Sequence, residues 1–540
     1  MTVAGLAAAF GSGAMTNSIE EIEFTDLILA TGTNTTENHP VISSRVKRAV
    51  RQRGAKLIVI DPREIDLVKY ATLWLRQKPG TDVAVFNGMM NVIISEGLPA
   101  KEYVENRTEG FDALKAIVAK YTPEYVEKIS GVPAEDLRKA ARLYATARAA
   151  SILYCMGITQ HSTGTDNVKS VANLAMLCGM VGIEGGGVNP LRGQNNVQGA
   201  CDMGALPNVF PAYQPVASDE ARTKFEKAWN ATLPAKPGKT IVELMDAAHK
   251  GEIKALYVMG ENPMISDPDI THVEAALKHL DLLIVQDILL TETAKLADVV
   301  LPSACFAEKD GTFSNTERRV QRVRKAVAPP GQAKADWEIL SAIATKMGYP
   351  MEYASAEAIM EEIRTVTPSY AGITYERIEK EGIQWPCPNT DHPGTRFLHK
   401  DRFSRGRGLF HAIEYIPPAE LPDDEYPMLL STGRVLYQYH TGTMTRLGKG
   451  TTERYPESLA EIHPADAAKL GIEDGQRVRV TSRRGTVEAK AKVTGRSDQG
   501  MVFMTFHFHE AAVNLLTNPA LDPVAKIPEY KVCAVRVEAA

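Results

Sequence analysis

The chain contains 540 residues with a formal net charge of −5, and 44% of its residues are hydrophobic. It is too long for one core, so three or more domains or lobes are expected, and its slight acidity gives no overall reason to bind nucleic acid. No apolar run is long enough to span a bilayer and Met1–Phe10 lacks a basic region, so neither a transmembrane helix nor a secretory signal is predicted.

The first predicted unit has the order strand, glycine turn, helix, strand, acid. Asp26–Asn34 is an apolar run that ends in a glycine turn, and Pro40–Arg53 has a helical pattern. Lys56–Arg63 is a second apolar run, which reaches an acid at Asp61. This order is that of a β-α-β unit, in which ligands bind at the carboxyl ends of the strands.

The next stretch carries further helical patterns. Helices are predicted at Val83–Glu96, Ala134–Ala147 and Thr163–Gly179, and the last of these has an apolar stripe at helical spacing. A helix is also predicted at residues 338–347. The basic clusters Arg45–Arg53 and Arg318–Lys325 are interpreted as solvated faces, with phosphate neutralisation or partner docking as the alternative.

Residues 189–204 form a polar, glycine-rich segment. Arg192 is followed by four side-chain amides, at Gln194, Asn195, Asn196 and Gln198. Amides need hydrogen-bond partners, and a guanidinium is a planar fork suited to a carboxylate or phosphate. The segment therefore predicts a set of donors around an anionic ligand, with a solvated loop as an equally weighted alternative.

The pattern of the first unit returns later in the chain. Lys254–Asn262 is an apolar run with a glycine turn, Asp269–His279 has a helical pattern, and Leu282–Asp287 is an apolar run that ends in an acid. Gly260 and Asp287 have nearly the spacing of Gly32 and Asp61, and neither turn matches the G-x-G-x-x-G fingerprint. The repeat predicts two nucleotide-binding halves, with purely structural layers as the alternative.

The C-terminal part changes to a period of two. Gln476–Val493 alternates on both sides of a turn and predicts a hairpin, and His463–Gly471 predicts a short helix. Four segments are therefore expected: an α/β lobe with a mixed insertion (1–150), a second α/β lobe with the polar loop (151–372), an extended linker (373–425) and a β-barrel-like domain (426–540).

The six cysteines are scattered, and no two of them form a C-x-x-C pair. The pattern predicts buried free thiols in a reducing compartment, and it indicates no zinc or iron–sulfur site in this chain. The cysteines are Cys155, Cys178, Cys201, Cys305, Cys387 and Cys533.

Motifs along nearly the whole chain resemble the molybdopterin oxidoreductase superfamily and, within it, the formate dehydrogenase alpha subunit. The segments that carry the resemblance are Tyr154–His161, Arg192–Pro207, Gly260–Pro263, Ala297–Pro302, Thr432–Arg434, Thr441–Thr445 and Pro528–Arg536. The resemblance implies an α/β fold with two pseudo-symmetric, Rossmann-like dinucleotide-binding lobes and a C-terminal β-barrel of the double-psi type.

The resemblance also implies a cofactor, namely molybdenum or tungsten held by two pyranopterin guanine dinucleotides. One dinucleotide would contact Gly32, Asn34, Asp61 and Arg63, and the other would contact Gly260, Glu261, Gln286, Asp287, Ser303 and Asp336. Residues near the pterins would be Met156, Gly157, Gly193 and Gln194. Contacts from the barrel would be Arg434, His440, Tyr530 and Lys531.

The implied reaction is the oxidation of formate to CO2 in the cytoplasm. Arg192 would hold the carboxylate of formate and orient its C–H bond toward the metal. Electrons would leave through an iron–sulfur cluster and electron-transfer subunits that carry iron–sulfur or flavin groups, and would then reach NAD. A nitrate-type oxyanion reductase, a non-catalytic cofactor-binding module and a structural subunit without pterin are the alternatives.

One departure from the family concerns the metal ligand. The family places a metal-ligating Cys or selenocysteine, followed by His, just before a motif that is Thr2–Leu6 here. The ligand, the His and the iron–sulfur domain are therefore expected upstream of Met1, and the 540 residues alone are expected to show little or no activity. A selenocysteine codon interpreted as a stop would explain this start, and an in-frame TGA followed by a His codon upstream would support that hypothesis.

Overall fold

The structure is a computed structural model that describes residues 1–540. Its strands are β1 (Leu27–Thr31), β2 (Lys56–Ile60), β3 (Leu73–Leu75), β4 (Thr108–Glu109), β5 (Ala150–Tyr154), β6 (Val188–Pro190), β7 (Val209–Phe210), β8 (Gln214–Pro215), β9 (Ala255–Met259), β10 (Leu282–Asp287), β11 (Val299–Pro302), β12 (Gly311–Ser314), β13 (Arg319–Val323), β14 (Ile383–Gln384), β15 (Gly408–Leu409), β16 (Met428–Gly433), β17 (Leu459–Ile462), β18 (Arg477–Thr481), β19 (Thr486–Val493), β20 (Met501–Thr505) and β21 (Cys533–Ala539).

The α-helices are α1 (Thr2–Phe10), α2 (Thr35–Asn38), α3 (Pro40–Arg53), α4 (Asp82–Ser95), α5 (Lys101–Arg107), α6 (Phe111–Val118), α7 (Pro123–Ser130), α8 (Ala134–Ala145), α9 (Met156–Thr159), α10 (Gly164–Leu177), α11 (Val197–Asp202), α12 (Asp219–Trp229), α13 (Ile241–His249), α14 (Pro263–Ser266), α15 (Ile270–Lys278), α16 (Asp336–Lys346), α17 (Ala356–Val366), α18 (Lys449–Arg454) and α19 (Pro464–Leu470). Short 3-10 helices lie at Glu20–Phe24, Asp66–Tyr70, Pro211–Tyr213, Ala294–Leu296, Phe306–Glu308, Pro368–Tyr370, Thr445–Leu447 and Val513–Leu515. No helix has the length and hydropathy needed to cross a lipid bilayer.

The chain divides into two compact units that do not follow its sequence order. Unit 1 comprises Met1–Gly193, Ile265–Ile270 and Phe397–Ala540, and unit 2 comprises Gln194–Met264 and Thr271–Arg396. The first α/β segment and the C-terminal barrel thus belong to the same unit. The four-segment division made from the sequence stays a prediction; in it, residues 373–425 contain only the two-residue strands β14 and β15.

Unit 1 contains a parallel five-stranded sheet with the order β3-β2-β1-β5-β6. β1 is buried along its whole length, because apolar clusters cover both faces of the sheet. One cluster includes residues of α1, α4, α8 and α10, and the other includes residues of α3. The predicted strands and helices of this region are confirmed, and α3 has the predicted bounds.

The C-terminal part of unit 1 is a closed six-stranded barrel with the order β16-β20-β17-β19-β18-β21. The predicted hairpin is confirmed as β18 and β19, which pair antiparallel, and the predicted short helix is α19. Alternate residues of these strands, such as Val478, Val480, Ala489 and Ala491, point into the barrel core.

Unit 2 contains a parallel three-stranded sheet, β11-β10-β9, and an antiparallel sheet, β12-β13-β14. The interpretation of Arg318–Lys325 as a solvated face is wrong at Arg318, which has no exposed surface. Its guanidinium donates to the carbonyl oxygens of Trp385, Thr395 and Arg396. A basic run in a sequence does not show that one of its arginines will be buried. Burial is possible here because several backbone carbonyls accept hydrogen bonds from that arginine.

Candidate cofactor cavity and the Arg192 segment

Two glycine turns meet at the carboxyl end of the parallel sheet of unit 1. Gly32 follows β1 with a φ of 54°, and its N–H donates to the Ile60 carbonyl at 3.1 Å. Gly157 follows the neighbouring strand β5, and its N–H donates to the Gly32 carbonyl at 3.0 Å. A Cβ on Gly157 would lie 2.5 Å from the Gly32 Cα, so the two backbones approach as closely as they do only because neither residue has a side chain.

The first turn leads into the short helix α2. The side-chain oxygen of Asn34 accepts from the Glu37 N–H at 3.4 Å and caps this helix. The Thr33 Oγ1 beside it is buried and has no hydrogen-bond partner. A buried hydroxyl without a partner is uncommon, and here it lies on the wall of a cavity.

Asp61 and Arg63 follow β2, the strand on the other side of β1. The Asp61 carboxylate accepts from the Arg63 N–H at 2.9 Å, and burial raises the pKa of Asp61 to about 6. The Arg63 guanidinium donates to both carboxylate oxygens of Glu461 in β17, at 2.8 and 2.6 Å. It also lies 3.8 Å from the centroid of the Phe503 ring.

The barrel contributes two cations to the same region. Lys531 donates to the Thr432 carbonyl at 2.6 Å, and burial together with the positive charge of Arg434 lowers the pKa of Lys531 to about 8. Arg434 donates to the Nε2 of His440 at 2.9 Å. Tyr530 lies next to Lys531, and its hydroxyl donates to the Ser266 carbonyl at 3.0 Å.

These residues surround a cavity that is partly open to solvent. Eight of the residues predicted to bind a cofactor line it: Gly32, Asn34, Asp61, Arg63, Met156, Gly157, Arg434 and Lys531. The lining combines a glycine turn before a helix, a carboxylate at a strand end, and buried cations. This donor set fits an anionic ligand that also carries a nucleotide.

His161 and Asp82 also line this cavity and were missed in the sequence. The His161 Nε2 lies 2.8 Å from the Gly157 carbonyl oxygen and 3.9 Å from Asp82, and its Nδ1 lies 3.8 Å from Glu529. Burial opposes protonation of this ring, but the carboxylates of Glu529 and Asp82 raise its pKa above the usual value. His161 thereby holds the Gly157 turn. Glu529 is too distant in sequence for any local pattern to reveal this role.

The polar, glycine-rich residues 189–204, called the Arg192 segment below, leave β6 at the same edge of the sheet. Arg192 is half-buried, and its carbonyl accepts from the Nε2 of His39 at 2.8 Å. Cys155, at the end of β5, donates its thiol to the Leu191 carbonyl at 3.1 Å. The boundary between the two units falls immediately afterwards, between Gly193 and Gln194.

The expectation that four amides surround a ligand is wrong for Gln198. Gln198 is buried and donates to Asp202 at 2.8 Å and to the Tyr213 hydroxyl at 2.9 Å. The Asn196 oxygen accepts from the Ser314 N–H at 2.9 Å. Both amides meet partners within unit 2, because residues 197–202 fold as α11 instead of remaining a loop. Gln194 and Asn195 are exposed.

The second predicted turn, in unit 2, repeats the backbone bonds of the first. The Gly260 N–H donates to the Gln286 carbonyl at 2.9 Å, as Gly32 does to Ile60. Asp287 accepts from the N–H two residues later, at 3.1 Å, as Asp61 does. Gly260 and Glu261 are exposed. The similarity does not extend to Asn262, whose oxygen accepts from both the N–H and the hydroxyl of Thr293.

The other predicted residues of unit 2 lie around this turn. Gln286 donates to Asp336 at 2.7 Å and accepts from the Tyr257 hydroxyl, so its amide has partners on both sides. The carboxylate of Asp336 also accepts a hydrogen bond from the Lys309 ammonium group. The Ser303 N–H donates to the Asp287 carbonyl at 3.0 Å. No group of three or more His, Cys, Asp or Glu side chains in the chain is arranged to hold a metal ion.

Comparisons with known proteins identify the class of protein that this fold and cavity define. A family model described as "Molybdopterin oxidoreductase" matches residues 4–346, and a second, described as "Molydopterin dinucleotide binding domain", matches residues 428–534. The chain therefore belongs to the molybdopterin oxidoreductase family, and it is a molybdopterin-dependent oxidoreductase.

Individual relatives indicate a narrower group within this family. The chain is 57% identical to the F420-dependent formate dehydrogenase subunit alpha of Methanocaldococcus jannaschii, over 99% of this chain and 80% of the relative. It is 45% identical to formate dehydrogenase H of Escherichia coli, over 99% of this chain and 76% of the relative. Acetylene hydratase from Pelobacter acetylenicus shares the fold, with a TM-score of 0.80 and 21% identity over 100% of this chain and 81% of that structure.

Proposed function

We propose that this chain belongs to the catalytic subunit of a formate dehydrogenase, which oxidises formate to CO2, a proton and two electrons. The observation that carries the proposal is the 57% and 45% identity, over 99% of the chain, to two relatives described as formate dehydrogenases. Arg192, which is half-buried, supports it, because formate is a small anion that a planar guanidinium can hold.

The proposed cofactor is molybdenum or tungsten with two pyranopterin guanine dinucleotides. The cavity of unit 1 fits one dinucleotide: the Gly32 and Gly157 turns admit it closely, and Arg434 and Lys531 offset its charge. In this proposal Asp61, which lines the cavity beyond the end of β2, accepts from a ribose or base. In this proposal the five-stranded sheet acts as a Rossmann-like lobe, and the barrel, of the double-psi type, forms the other wall of the cavity.

The second dinucleotide is proposed for the turn in unit 2. The candidate residues there are Gly260, Glu261, Gln286, Asp287, Ser303 and Asp336, and the repeated turn geometry supports the assignment. Gly193 and Gln194 are proposed to lie near the pterins, and His440 and Tyr530 are proposed as cofactor contacts from the barrel. When bound, the metal and pterins accept the electrons of the reaction, while the protein orients formate through Arg192 and excludes water.

Electron-transfer subunits that carry iron–sulfur or flavin groups are the proposed partners. NAD is one candidate acceptor, and F420 is a second, because the Methanocaldococcus jannaschii relative is described as F420-dependent. All six cysteines are free, which supports a cytoplasmic location.

The test is an assay of the holoenzyme purified from its native host, with its cofactor and partner subunits. Formate-dependent reduction of an artificial dye is expected, and nitrate-dependent oxidation of the reduced dye is not. Nitrate reduction without formate oxidation would replace the proposed substrate by an oxyanion. Absence of molybdenum, tungsten and pterin from the purified protein would contradict the cofactor. Addition of NAD or F420 in separate assays then identifies the acceptor.

A further inference from the structure

Two histidines lie against the backbone of the Arg192 segment. His39 occupies the bend between α2 and α3, and its Nε2 lies 2.8 Å from the Arg192 carbonyl oxygen. His440 belongs to the loop between β16 and β17, and its ring forms a hydrogen bond with the backbone of Gly193. Two consecutive residues of one short segment are thus each held by an imidazole from a different part of unit 1.

The partners of each ring fix the position of its proton. A carbonyl oxygen only accepts, so His39 carries its proton on Nε2. Arg434 only donates, so the His440 Nε2 that it contacts at 2.9 Å is an acceptor, and the His440 proton lies on Nδ1. Burial, together with the positive charge of Arg434, lowers the pKa of both rings to about 4, so both rings are neutral at pH 7.

Besides the two hydrogen bonds, close packing around Gly193 restricts the backbone. A Cβ at this position would lie 2.4 Å from the His440 Cε1 and 3.0 Å from the Arg434 Nη1. The imidazole therefore rests directly on the Gly193 backbone, and only glycine permits this contact. Rotation of the peptide that follows Arg192 would break the bond to His39 or drive the backbone into the ring of His440.

We propose that His39 and His440 are positioning residues that hold the Arg192–Gly193 backbone so that the Arg192 guanidinium is aimed at formate. This inference rests on the proposed function, because it concerns the orientation of Arg192 toward its substrate. The two rings act through hydrogen bonds and contact, and as neutral groups they add no positive charge beside the anion.

The experiment uses the holoenzyme and measures kcat, KM for formate, and metal and pterin content. His39→Phe keeps the ring but removes the donor, and it should lower kcat/KM for formate by about tenfold, as expected for the loss of one well-placed hydrogen bond. His39→Gln keeps an N–H donor and should recover most of this loss. His440→Asn tolerates the left-handed backbone, whose φ is 51°, but has a shorter reach and should resemble His39→Phe.

His411→Phe is the matched control. The ring of His411 is also partly buried, and its pKa is lowered by burial, but its backbone and ring contact Asn173 and Ala8 instead of the Arg192 segment. Its kinetics should match those of the unchanged enzyme. Cofactor content should stay normal in both His39 variants and in His411→Phe.

A double-mutant cycle separates positioning from general structural damage. If His39 acts through Arg192, its loss should have little further effect in an Arg192→Lys enzyme, so the two effects will not add. Additive effects, or cofactor content that falls in step with activity in His39→Phe, would overturn the inference. So would unchanged kinetics in His39→Phe and His440→Asn while Arg192→Lys is impaired, an outcome that leaves the proposed function intact. Unchanged formate oxidation in Arg192→Lys would instead contradict the role of Arg192 itself.

Discussion

Arg63 and Glu461 form a buried, two-bond ion pair although they lie 398 residues apart in the sequence. Arg63 follows a strand of the parallel sheet, and Glu461 belongs to the barrel. The family resemblance implied that Arg63 contacts the cofactor, and Arg63 does line the cavity. Its guanidinium, however, is held by Glu461, so its first role in the structure is to join the two walls of the cavity.

Removal of one partner of this pair should be costly. Glu461→Ala leaves a buried guanidinium without its carboxylate, and we expect a loss of about 3–5 kcal/mol in the free energy of unfolding. Chemical denaturation of the purified protein measures it. Glu488→Ala is the control, because Glu488 pairs with Arg479 at 3.6 Å on the exposed surface of the same barrel. It should change stability by less than about 1 kcal/mol, and an equal loss in both variants would contradict the buried pairing.

The contact between Gly32 and Gly157 predicts that Gly157→Ala will damage the cavity. The new Cβ would meet backbone atoms of the Gly32 turn, which cannot move aside as a flexible side chain can. We expect a destabilisation of about 1–3 kcal/mol from overpacking and a lower pterin content, measured by thermal unfolding and pterin fluorescence. Gly495→Ala, where nothing lies within 4 Å of the new Cβ, is the control and should retain both.

Arg192→Lys should separate substrate handling from cofactor binding. Lysine keeps the charge but loses the planar fork, so formate turnover should fall by about tenfold to a hundredfold. Cofactor content should stay near normal, because Arg192 does not line the cavity of unit 1. Arg148→Lys, whose side chain is 85% exposed, is the control and should keep full turnover. Unchanged turnover in Arg192→Lys would remove Arg192 from the mechanism.

The raised pKa of Asp61 predicts a pH-dependent stabilisation by Asp61→Asn in cofactor-free protein. Burial raises this pKa from 3.8 to about 6, so the folded protein holds the proton to a higher pH than the unfolded chain does. Above pH 6 the folded state must contain a buried carboxylate, which asparagine avoids. The gain should approach about 3 kcal/mol above pH 6, decrease between pH 6 and 4, and vanish below pH 4.

Asp66→Asn should change the free energy of unfolding in the opposite direction in the same experiment. Hydrogen bonds from Lys69 and Lys47 lower the pKa of Asp66 to about 2, so its carboxylate stabilises the folded state above pH 4. Asp66→Asn should therefore destabilise the protein above pH 4, with an effect that shrinks as the pH falls toward 2. Denaturation curves from pH 3 to 8 measure both variants, and a pH-independent effect of Asp61→Asn would contradict the assignment.

Local periodicity was enough to predict several elements of both units. The pattern of α3 and β10 gave their bounds, since an amphipathic helix or an apolar strand is encoded within its own segment. The glycine and acid at the strand ends were also identifiable, because parallel strands bring their carboxyl ends together. The grouping of the first sheet with the barrel in one unit could not be predicted, because it depends on contacts between distant residues such as Arg63 and Glu461.

Burial of polar groups was the part that the sequence could not supply. Arg318 belongs to a charged run and Gln198 to a polar run, but both are buried. Backbone carbonyls accept hydrogen bonds from Arg318, and Asp202 and Tyr213 accept hydrogen bonds from Gln198. His161 ends a motif that carries the family resemblance, but its role was not predicted, since its partners Asp82 and Glu529 come from distant parts of the chain. Such partnerships are properties of the assembled fold rather than of any window of residues.

The order of the barrel strands has a consequence for how the protein is made. β16 pairs with β21, yet all the other barrel strands come between them in the chain. During translation, β16 and β18 must each wait for Cys533–Ala539 with an open hydrogen-bonding edge, which is the condition under which strands pair with wrong neighbours. Ribosome stalling before this segment would therefore yield nascent chains that aggregate. Release after this segment would allow the six-stranded barrel to close.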